Sequence, residues 1–251
     1  MGKMMSGIYT LWLRSMKRYF RSPSRIVGSL GLPLFFLVIV GFGLNSILSN
    51  GGQSYVGFLG PGIVAVSVLF ASVFAGIQII WDKQFGFLKE TLVAPVSRLQ
   101  IMLGQTLGGA STAFIQGIII MVIASLVAFH VSSIIGFLIA FGFMILIGLA
   151  FTSFGIAIAS RMEDMSGFQL IMNFVIFPIF GLSGAIYPLN SIPQWLKIVT
   201  YFDPLTYGVE GIRYGLLGTS AINPLLCLAA LGGFAAAMIT VGALLFRKVK
   251  F

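Results

Sequence analysis

The chain has 251 residues, of which 58% are hydrophobic and only 8% are charged, and its mean hydropathy is +1.05. Soluble domains carry about 25% charged residues and could not cover this much apolar surface, so lipid is expected to surround most of the chain. The net charge of +9 could indicate nucleic-acid binding, but the basic residues flank apolar segments and form no continuous face, so we expect no nucleic-acid partner.

The first 25 residues precede any span and are predicted to form an amphipathic helix that lies in the cytoplasmic membrane interface. Leu13, Met16 and Phe20 recur at helical spacing, and basic side chains occupy the opposite side. A simple lipid anchor and a contact with a partner protein both fit this pattern.

Six apolar segments follow, each long enough to cross a hydrocarbon core that needs about 20 helical residues. They run from Ile26 to Leu48, Val56 to Ile80, Gly104 to Phe129, Ile134 to Ser160, Phe168 to Tyr187 and Ile222 to Phe246. If the spans alternate in direction, all of the Lys and Arg residues except Lys197 and Arg213 fall on one side. Because Lys and Arg favour the cytoplasmic side, we predict a multi-pass protein of the cell membrane with both termini in the cytoplasm.

The largest predicted cytoplasmic loop, residues 82–100, carries the pattern of a short amphipathic helix. Phe85, Leu88 and Leu92 fall at i, i+3 and i+7, and Pro95 would end the helix. An exposed helix of this kind suits docking into a groove on a partner protein. A solvated loop helix that rests on lipid would show the same pattern.

Residues 187–218, between the fifth and sixth segments, are too polar and proline-rich for a span, yet too apolar for an ordinary loop. Asp203 and Pro204 predict the N-cap and first residue of a helix in which Glu210 and Arg213, three residues apart, can pair. We expect a helical hairpin that enters the membrane from outside, which is tolerated where protein buries the backbone.

The sequence contains no Gly-x-x-x-x-Gly-Lys-[Ser/Thr] phosphate loop, no cluster with metal-ligand spacing and no nucleophile–base set. Its acidic residues fall in loops or at span ends, whereas ion-coupled transporters usually carry ionisable groups inside their spans. We therefore expect a non-catalytic chain that binds no cofactor or metal itself and draws energy for transport from elsewhere.

Neutral polar residues inside the spans are predicted to make helix–helix hydrogen bonds rather than to contact a substrate. They are Gln78, Gln105, Gln116 and Asn173. The spacing Gly104-x-x-x-Gly108 likewise indicates ordinary close packing of helices.

The loop sequence Gly86-Phe-Leu-Lys-Glu-Thr-Leu-Val-Ala-Pro-Val-Ser-Arg98, followed by Leu103-Gly-Gln105, resembles the loop signature of type-2 ABC exporter permeases. The matching positions are Gly86, Leu88, Glu90, Leu92, Pro95, Ser97 and Arg98. Later segments resemble the same family: Phe177-Pro178 to Gly184, Tyr187-Pro188 to Pro193, and Asp203-Pro-Leu-Thr-Tyr207 with Arg213. The resemblance covers nearly the whole chain.

This resemblance implies one all-α ABC-2 type transmembrane domain over residues 1–251, the permease subunit of an ATP-driven exporter. Two copies, or two related chains, would form the path, and two separate ATPase subunits would hold ATP and Mg. The coupling helix in the loop 82–100 would contact the ATPase subunit through Phe85, Gly86, Leu88, Glu90, Leu92, Pro95 and Arg98. The hairpin 187–218 would be an external gate that uses Asp203, Pro204, Tyr207, Glu210 and Arg213.

The family exports drugs, lipids and polysaccharides, and the wide apolar surface favours an amphipathic cargo over a small ion. A self-sufficient channel or secondary carrier is the alternative, and it would work in liposomes without an ATPase. A membrane scaffold would show no flux at all. The sequence leaves open which cargo is moved, which ATPase is the partner, and whether the permease pairs with itself.

Overall fold

The computed structural model describes residues 2–49, 54–87, 96–129, 133–162 and 164–247. Four residues of the predicted coupling helix, Leu88, Glu90, Leu92 and Pro95, lie outside this part of the chain. The described residues form helices and turns and contain no strand.

The helices are numbered in chain order. They are α1 (Gly2–Phe20), α2 (Pro23–Phe35), α3 (Gly43–Leu48), α4 (Tyr55–Ala75), α5 (Ile77–Gln84), α6 (Arg98–Val127), α7 (Ile134–Ala159), α8 (Met165–Ile171), α9 (Phe177–Leu182), α10 (Gln194–Thr200), α11 (Pro204–Leu217) and α12 (Pro224–Arg247). The π-helical segments Phe36–Phe42 and Met172–Ile176 join α2 to α3 and α8 to α9, and a 3-10 turn covers Leu189–Ser191.

Six helical segments of the described chain are long and apolar enough to cross a membrane, which confirms the six predicted spans and an all-α membrane protein. They are Ile26–Ile47, Tyr55–Gln84, Arg98–Val127, Ile134–Ala159, Met165–Leu182 and Pro224–Phe246. The third span begins six residues before the predicted Gly104, because a local hydrogen-bond motif starts its helix early. Ser97 accepts from the Gln100 backbone N–H, and the Gln100 side chain accepts from the Ser97 N–H.

The second span, α4, lies at the centre of the bundle, where α6, α7 and α11 pack around it. Its side chains Leu59, Ile63 and Leu69 are fully buried. The first, fifth and sixth spans lie towards the outside, and only 17%, 22% and 22% of their residues are buried. The core of this chain is thus the second span, wrapped by the third, the fourth and the hairpin helix.

A proline inside the first span is accommodated by a hydrogen bond from the third. Pro33 in α2 has no N–H, so the carbonyl of Ser29, four residues earlier, lacks its helical donor. The side-chain Nε2 of Gln116 donates to that carbonyl at 3.0 Å. This contact confirms the helix–helix hydrogen bond predicted for Gln116, whereas Gln78 bonds within its own helix, to Asp82.

Helix α1 runs alongside the first half of α6 in the same direction, and does not lie flat across it. Gly7 faces Val96, the Cβ of Leu11 approaches Gly104, and the Cβ of Ser15 approaches Gly108. Leu11 and Ser15 are four residues apart in α1, and Gly104 and Gly108 are four residues apart in α6, so the two helices pack lengthwise at this contact. The Gly104-x-x-x-Gly108 spacing is confirmed as close packing, with α1 as the partner.

The buried face of α1 also differs from the predicted one. Leu11, Met16 and Tyr19 are buried, whereas Phe20 is exposed. Close approach to Gly104 and Gly108 of α6 turns the face that carries Leu11 and the small Ser15 inward, so the small residues of α6 help to select the buried face.

We expect Gly108→Ala to loosen α1, because the added Cβ would lie 2.6 Å from the Cβ of Ser15, an atom fixed to the backbone that no rotamer change can move. The control is Gly142→Ala in α7, where a Cβ meets nothing within 4 Å and alanine should favour the helix by about 1 kcal/mol. Thermal unfolding in detergent and trypsin cleavage at the basic residues of α1 should separate the two variants. Equal behaviour would contradict the close packing.

Candidate functional site

The cytoplasm-facing end predicted for the second span carries a buried carboxylate held by the N-terminal helix. Arg14 donates to both oxygens of Asp82 at 3.0 Å, and Arg18 approaches the same carboxylate at 3.9 Å. Gln78 donates to Asp82 at 2.8 Å. Only 3% of Asp82 is exposed, so its three partners replace the water molecules that the carboxylate loses on burial. We call these four side chains the Asp82 cluster.

The next residue, Lys83, ties the second span to the end of the fourth. Its ammonium donates to the carbonyls of Ala159, Ser160 and Met162 at 3.3, 2.6 and 3.0 Å. The last carbonyls of a helix have no partner within the helix and carry its partial negative charge, so a lysine there is favourable on both counts. Asp82 and Lys83 therefore join α5 to α1 and α7.

The described ends of the predicted coupling loop lie beside these contacts. Phe85 lies in the turn that ends α5, before Gly86 with φ of 76°, and so does not lie within a helix as predicted. A left-handed glycine after the last turn is a common helix stop. On the far side, Val96 packs near Gly7 of α1.

Further contacts hold α1 at this site. The guanidinium carbon of Arg14 lies 3.4 Å from the ring centroid of Phe87, and the indole N–H of Trp12 donates to Ser111 in α6 at 3.0 Å. Sequence reasoning missed Arg14, Gln78 and Lys83 as members of the site. An acidic residue at the end of a span indicates that it needs a basic partner, but the sequence does not indicate which of the many basic residues is that partner.

The segment 187–218 forms two helices, α10 and α11, as predicted. The Asp203 side chain caps α11 by accepting from the Leu205 N–H at 2.9 Å, and Pro204 is the first helical residue, which confirms the predicted start. Thr206 also donates to Asp203 at 3.3 Å. The hydroxyl of Tyr207 donates to the Tyr201 carbonyl at 2.7 Å and thereby fastens α11 to the end of α10.

The predicted Glu210–Arg213 pair is present and almost completely buried. Arg213 is 4% and Glu210 1% exposed, and the two form a hydrogen-bonded ion pair. Arg213 also donates to the Gly184 carbonyl at 3.0 Å, and its guanidinium carbon lies 4.0 Å from the ring centroid of Phe58. The pair thus links α11 to the end of the fifth span and the start of the second.

Helix α11 packs along the first half of α7. A Cβ on Gly211 would lie 2.3 Å from the Phe143 ring, and one on Gly215 would lie 2.6 Å from the Gly136 carbonyl. The glycines of α11 recur on one helix face, a signal of close packing that the sequence reasoning did not use. This hairpin helix is consequently part of the bundle core.

Burial raises the pKa of the Asp203 carboxyl from 3.8 to about 7, although hydrogen bonds from Leu205 and Thr206 oppose the rise. A carboxyl whose pKa is raised by folding binds its proton more tightly in the folded state. Its contribution to stability is therefore largest at low pH and is lost as the pH rises through about 7.

We expect the detergent-solubilised protein to melt a few degrees higher at pH 6 than at pH 8, since a folded pKa of about 7 changes the unfolding free energy by about 1.4 kcal/mol over this interval. Asp203→Asn keeps a capping oxygen but has no proton to release, so it should remove this pH dependence of the melting temperature. Asp164→Asn is the control, because Asp164 caps α8 through Gly167 but is exposed. The same pH slope in the parent and in Asp203→Asn would contradict the raised pKa.

Known proteins are similar to this chain in sequence. The family described as ABC-2 type transporter matches residues 6–217. The chain is 28% identical over 198 residues to the transport permease ycf38 of Cyanophora paradoxa, covering 77% of this chain and 68% of that protein. It is 30% identical over 201 residues to Nodulation protein J of Rhizobium leguminosarum bv. trifolii, covering 79% and 76%.

Nodulation protein J of Rhizobium meliloti is 29% identical over 226 residues, which cover 89% of this chain and 86% of that protein. The family match includes the Asp82 cluster, the loop 82–100, the capped start of α11 and the buried Glu210–Arg213 pair. With six membrane-spanning helices and a match over most of its length, the chain belongs to the ABC-2 type transporter family and is a membrane transport permease.

Proposed function

We propose that this chain is the permease subunit of an ATP-driven exporter of an amphipathic cargo that is drug-like, a lipid or a polysaccharide. Separate ATPase subunits hold ATP and Mg and hydrolyse the nucleotide, and the loop 82–100 is their docking site. Both termini and this loop are cytoplasmic, and the segment 187–218 is external, in keeping with the one-sided distribution of Lys and Arg.

The observation that carries the proposal is the anchoring of the loop at both ends. At the start of the loop, Asp82 is bound to α1 and Lys83 to the end of α7. At the end of the loop, the Ser97–Gln100 capping motif begins α6, and Val96 packs against α1. A displacement of the loop by a partner would therefore reach the second, third and fourth spans and α1 together, as a coupling element requires.

The composition of the spans supports an external energy source. Within the described spans, Asp, Glu, Lys and Arg occur only at the ends, at Asp82, Lys83 and Arg98. Carriers driven by protons or cations usually have an ionisable group inside their spans. ATP hydrolysis on a partner subunit supplies the energy without one.

A second permease chain, identical or related, would complete the path, with two ATPase subunits beneath. Asn173 lies at the middle of the fifth span and is exposed, between the exposed apolar residues Leu170 and Phe174. An amide that faces hydrocarbon is unfavourable, whereas one that faces a second protein chain or a hydrated path can make hydrogen bonds. The exposed face of the fifth span supports such a partner.

The hairpin is proposed to be the external gate. Helix α11 packs along the first half of α7, and the Glu210–Arg213 pair links it to the end of the fifth span and the start of the second. Opening a path beside α11 would require this buried contact to move. The depth of α11 in the bundle supports a re-entrant element rather than a surface loop.

Alanine substitutions in the loop should distinguish side chains that bind the ATPase subunit from a side chain that couples ATP hydrolysis to transport. Leu88→Ala and Leu92→Ala should weaken capture of the ATPase subunit, because each removes apolar area worth about 25 cal/mol per Å² at the interface. Glu90→Ala should leave much of the complex assembled but reduce cargo-linked ATP turnover. Pull-down of the ATPase subunit and ATP hydrolysis by the complex in liposomes are the two measurements.

The control for these variants is Phe202→Ala, which truncates an exposed apolar side chain (84% exposed) between α10 and α11, on the opposite side of the proposed topology. It should bind the ATPase subunit like the parent. If the three loop variants also bind and turn over like the parent, the loop is a solvated turn. Flux through the permease alone would instead favour a self-sufficient channel or carrier.

The gate is best tested by removing both charges of its ion pair. Arg213→Ala alone would leave the buried Glu210 carboxylate without its cationic partner, which would destabilise the fold by about 3–5 kcal/mol. A loss of transport in that variant could then reflect unfolding as well as a defect in gating. The combined Glu210→Gln and Arg213→Met substitutions keep the volume and remove the charges. We expect this variant to assemble with the ATPase subunit but to release a trapped dye from proteoliposomes faster than the parent. An unchanged release rate would argue against a gating role.

A further inference from the structure

A cavity of about 620 Å³ lies within one chain, between the N-terminal helix α1 and the first three spans. Its walls come from α1, α2, α4, α5 and α6. On α6 it extends from Gln105 to Gln116, eleven residues or about 16 Å of helix. This volume is within the range of about 300–1,000 Å³ found for small-molecule sites.

One part of the wall is apolar and aromatic. It consists of Leu32 and Pro33 from the first span, and Phe70, Phe74 and Trp81 from the second. A surface of this kind binds a hydrocarbon chain or a flat apolar body through burial alone. The cavity therefore suits a molecule with an apolar part.

The polar part of the wall offers mainly hydrogen-bond acceptors. The hydroxyls of Ser15, Ser29 and Thr112 each donate to a carbonyl of their own helix, at 3.2, 2.8 and 2.8 Å, so only their oxygen lone pairs face the cavity. The amide N–H of Gln116 is used by the Ser29 carbonyl, as described above.

Two buried amide oxygens in this wall lack a partner among the described residues. Gln78 directs its Nε2 to the carboxylate of Asp82, an acceptor, so its Oε1 is left over. Gln105 is 9% exposed, and its Oε1 also has no hydrogen bond within the described chain. A buried acceptor without a donor is unfavourable, and a ligand that donates to it removes that cost.

One end of the cavity is charged and lies beside the Asp82 cluster. Arg14 and Arg18 line this end, and both approach the Asp82 carboxylate. The polar head of a ligand is therefore expected at this end, and its apolar part at the aromatic wall.

From these contacts we propose that the cavity binds one membrane amphiphile, with its apolar part against Phe70, Phe74 and Trp81. Its head carries hydroxyl or amide N–H donors and donates to Gln78 and Gln105. This site goes beyond the proposed function, because it lies within a single chain and needs neither the ATPase subunit nor a second permease.

Fluorescence quenching of Trp81 can test the site in lipid nanodiscs that contain the permease chain alone. The background carries Trp12→Phe and Trp195→Phe, which leaves Trp81 as the single tryptophan of the three. The probes are an alkyl glucoside brominated on its chain and its tetra-O-methyl ether, which has the same shape but no O–H donor. We expect saturable quenching by the glucoside, with an affinity about ten-fold higher than that of the ether.

Two glycines on α2 supply matched variants. A Cβ meets nothing within 4 Å at Gly28, which lines the cavity, or at Gly31, which does not. Gly28→Leu should fill the cavity and abolish saturable quenching, whereas Gly31→Leu should leave it intact. Gln105→Leu should reduce the ten-fold preference for the glucoside over the ether.

Three results would overturn the inference. They are quenching that never saturates, equal affinity for glucoside and ether in the parent, and saturable quenching that survives Gly28→Leu. Because no ATPase subunit is present, each of these results is separate from a failure of the proposed export function.

Discussion

Polar groups that this chain places within lipid have to find their partners inside the protein, and the packing of the helices follows from that constraint. The carbonyl left open by Pro33 is satisfied by Gln116 of another span. The last carbonyls of α7 are satisfied by Lys83 at the end of the second span. Each contact joins elements that are distant in sequence, so satisfying the polar groups also fixes which helices are neighbours.

Two of the buried carboxylates show this constraint at opposite ends of the bundle. Asp82 is paired with Arg14 and Arg18, and Glu210 is paired with Arg213. Removing one partner of such a buried ion pair is strongly destabilising. The first pair attaches α1 to the second span, and the second pair attaches the hairpin helix α11 to the second and fifth spans.

Much of this architecture was predictable because its causes are local. Long apolar runs give the six spans, Asp203-Pro204 gives the start of α11, and the spacing of Glu210 and Arg213 gives their pairing. These features depend on residues within one helix or at its boundary.

The features that were not predicted depend on contacts between residues far apart in the chain. The pairing of Arg14 with Asp82 joins positions 68 residues apart, and several other basic side chains were equally plausible. The face of α1 that is buried was mispredicted, because hydrophobic periodicity favours Leu13 and Phe20, whereas the glycines of α6 select Ser15. The backbone at Phe85 also differs from the predicted helix, since the left-handed Gly86 follows it and α5 ends just before it.

The contacts of the two ion pairs also determine which part of the protein a movement of the loop would displace first. Arg14 and Arg18 both hold Asp82 and line the cavity beside α1. A displacement of the loop that shifts Asp82 must therefore move these two arginines, and with them the charged end of the cavity. The Glu210–Arg213 contact lies at the other end of the second span, beside Phe58, and is reached only through the packed length of α4. In the proposed exporter, the amphiphile site would thus respond to the ATPase subunit before the external gate does.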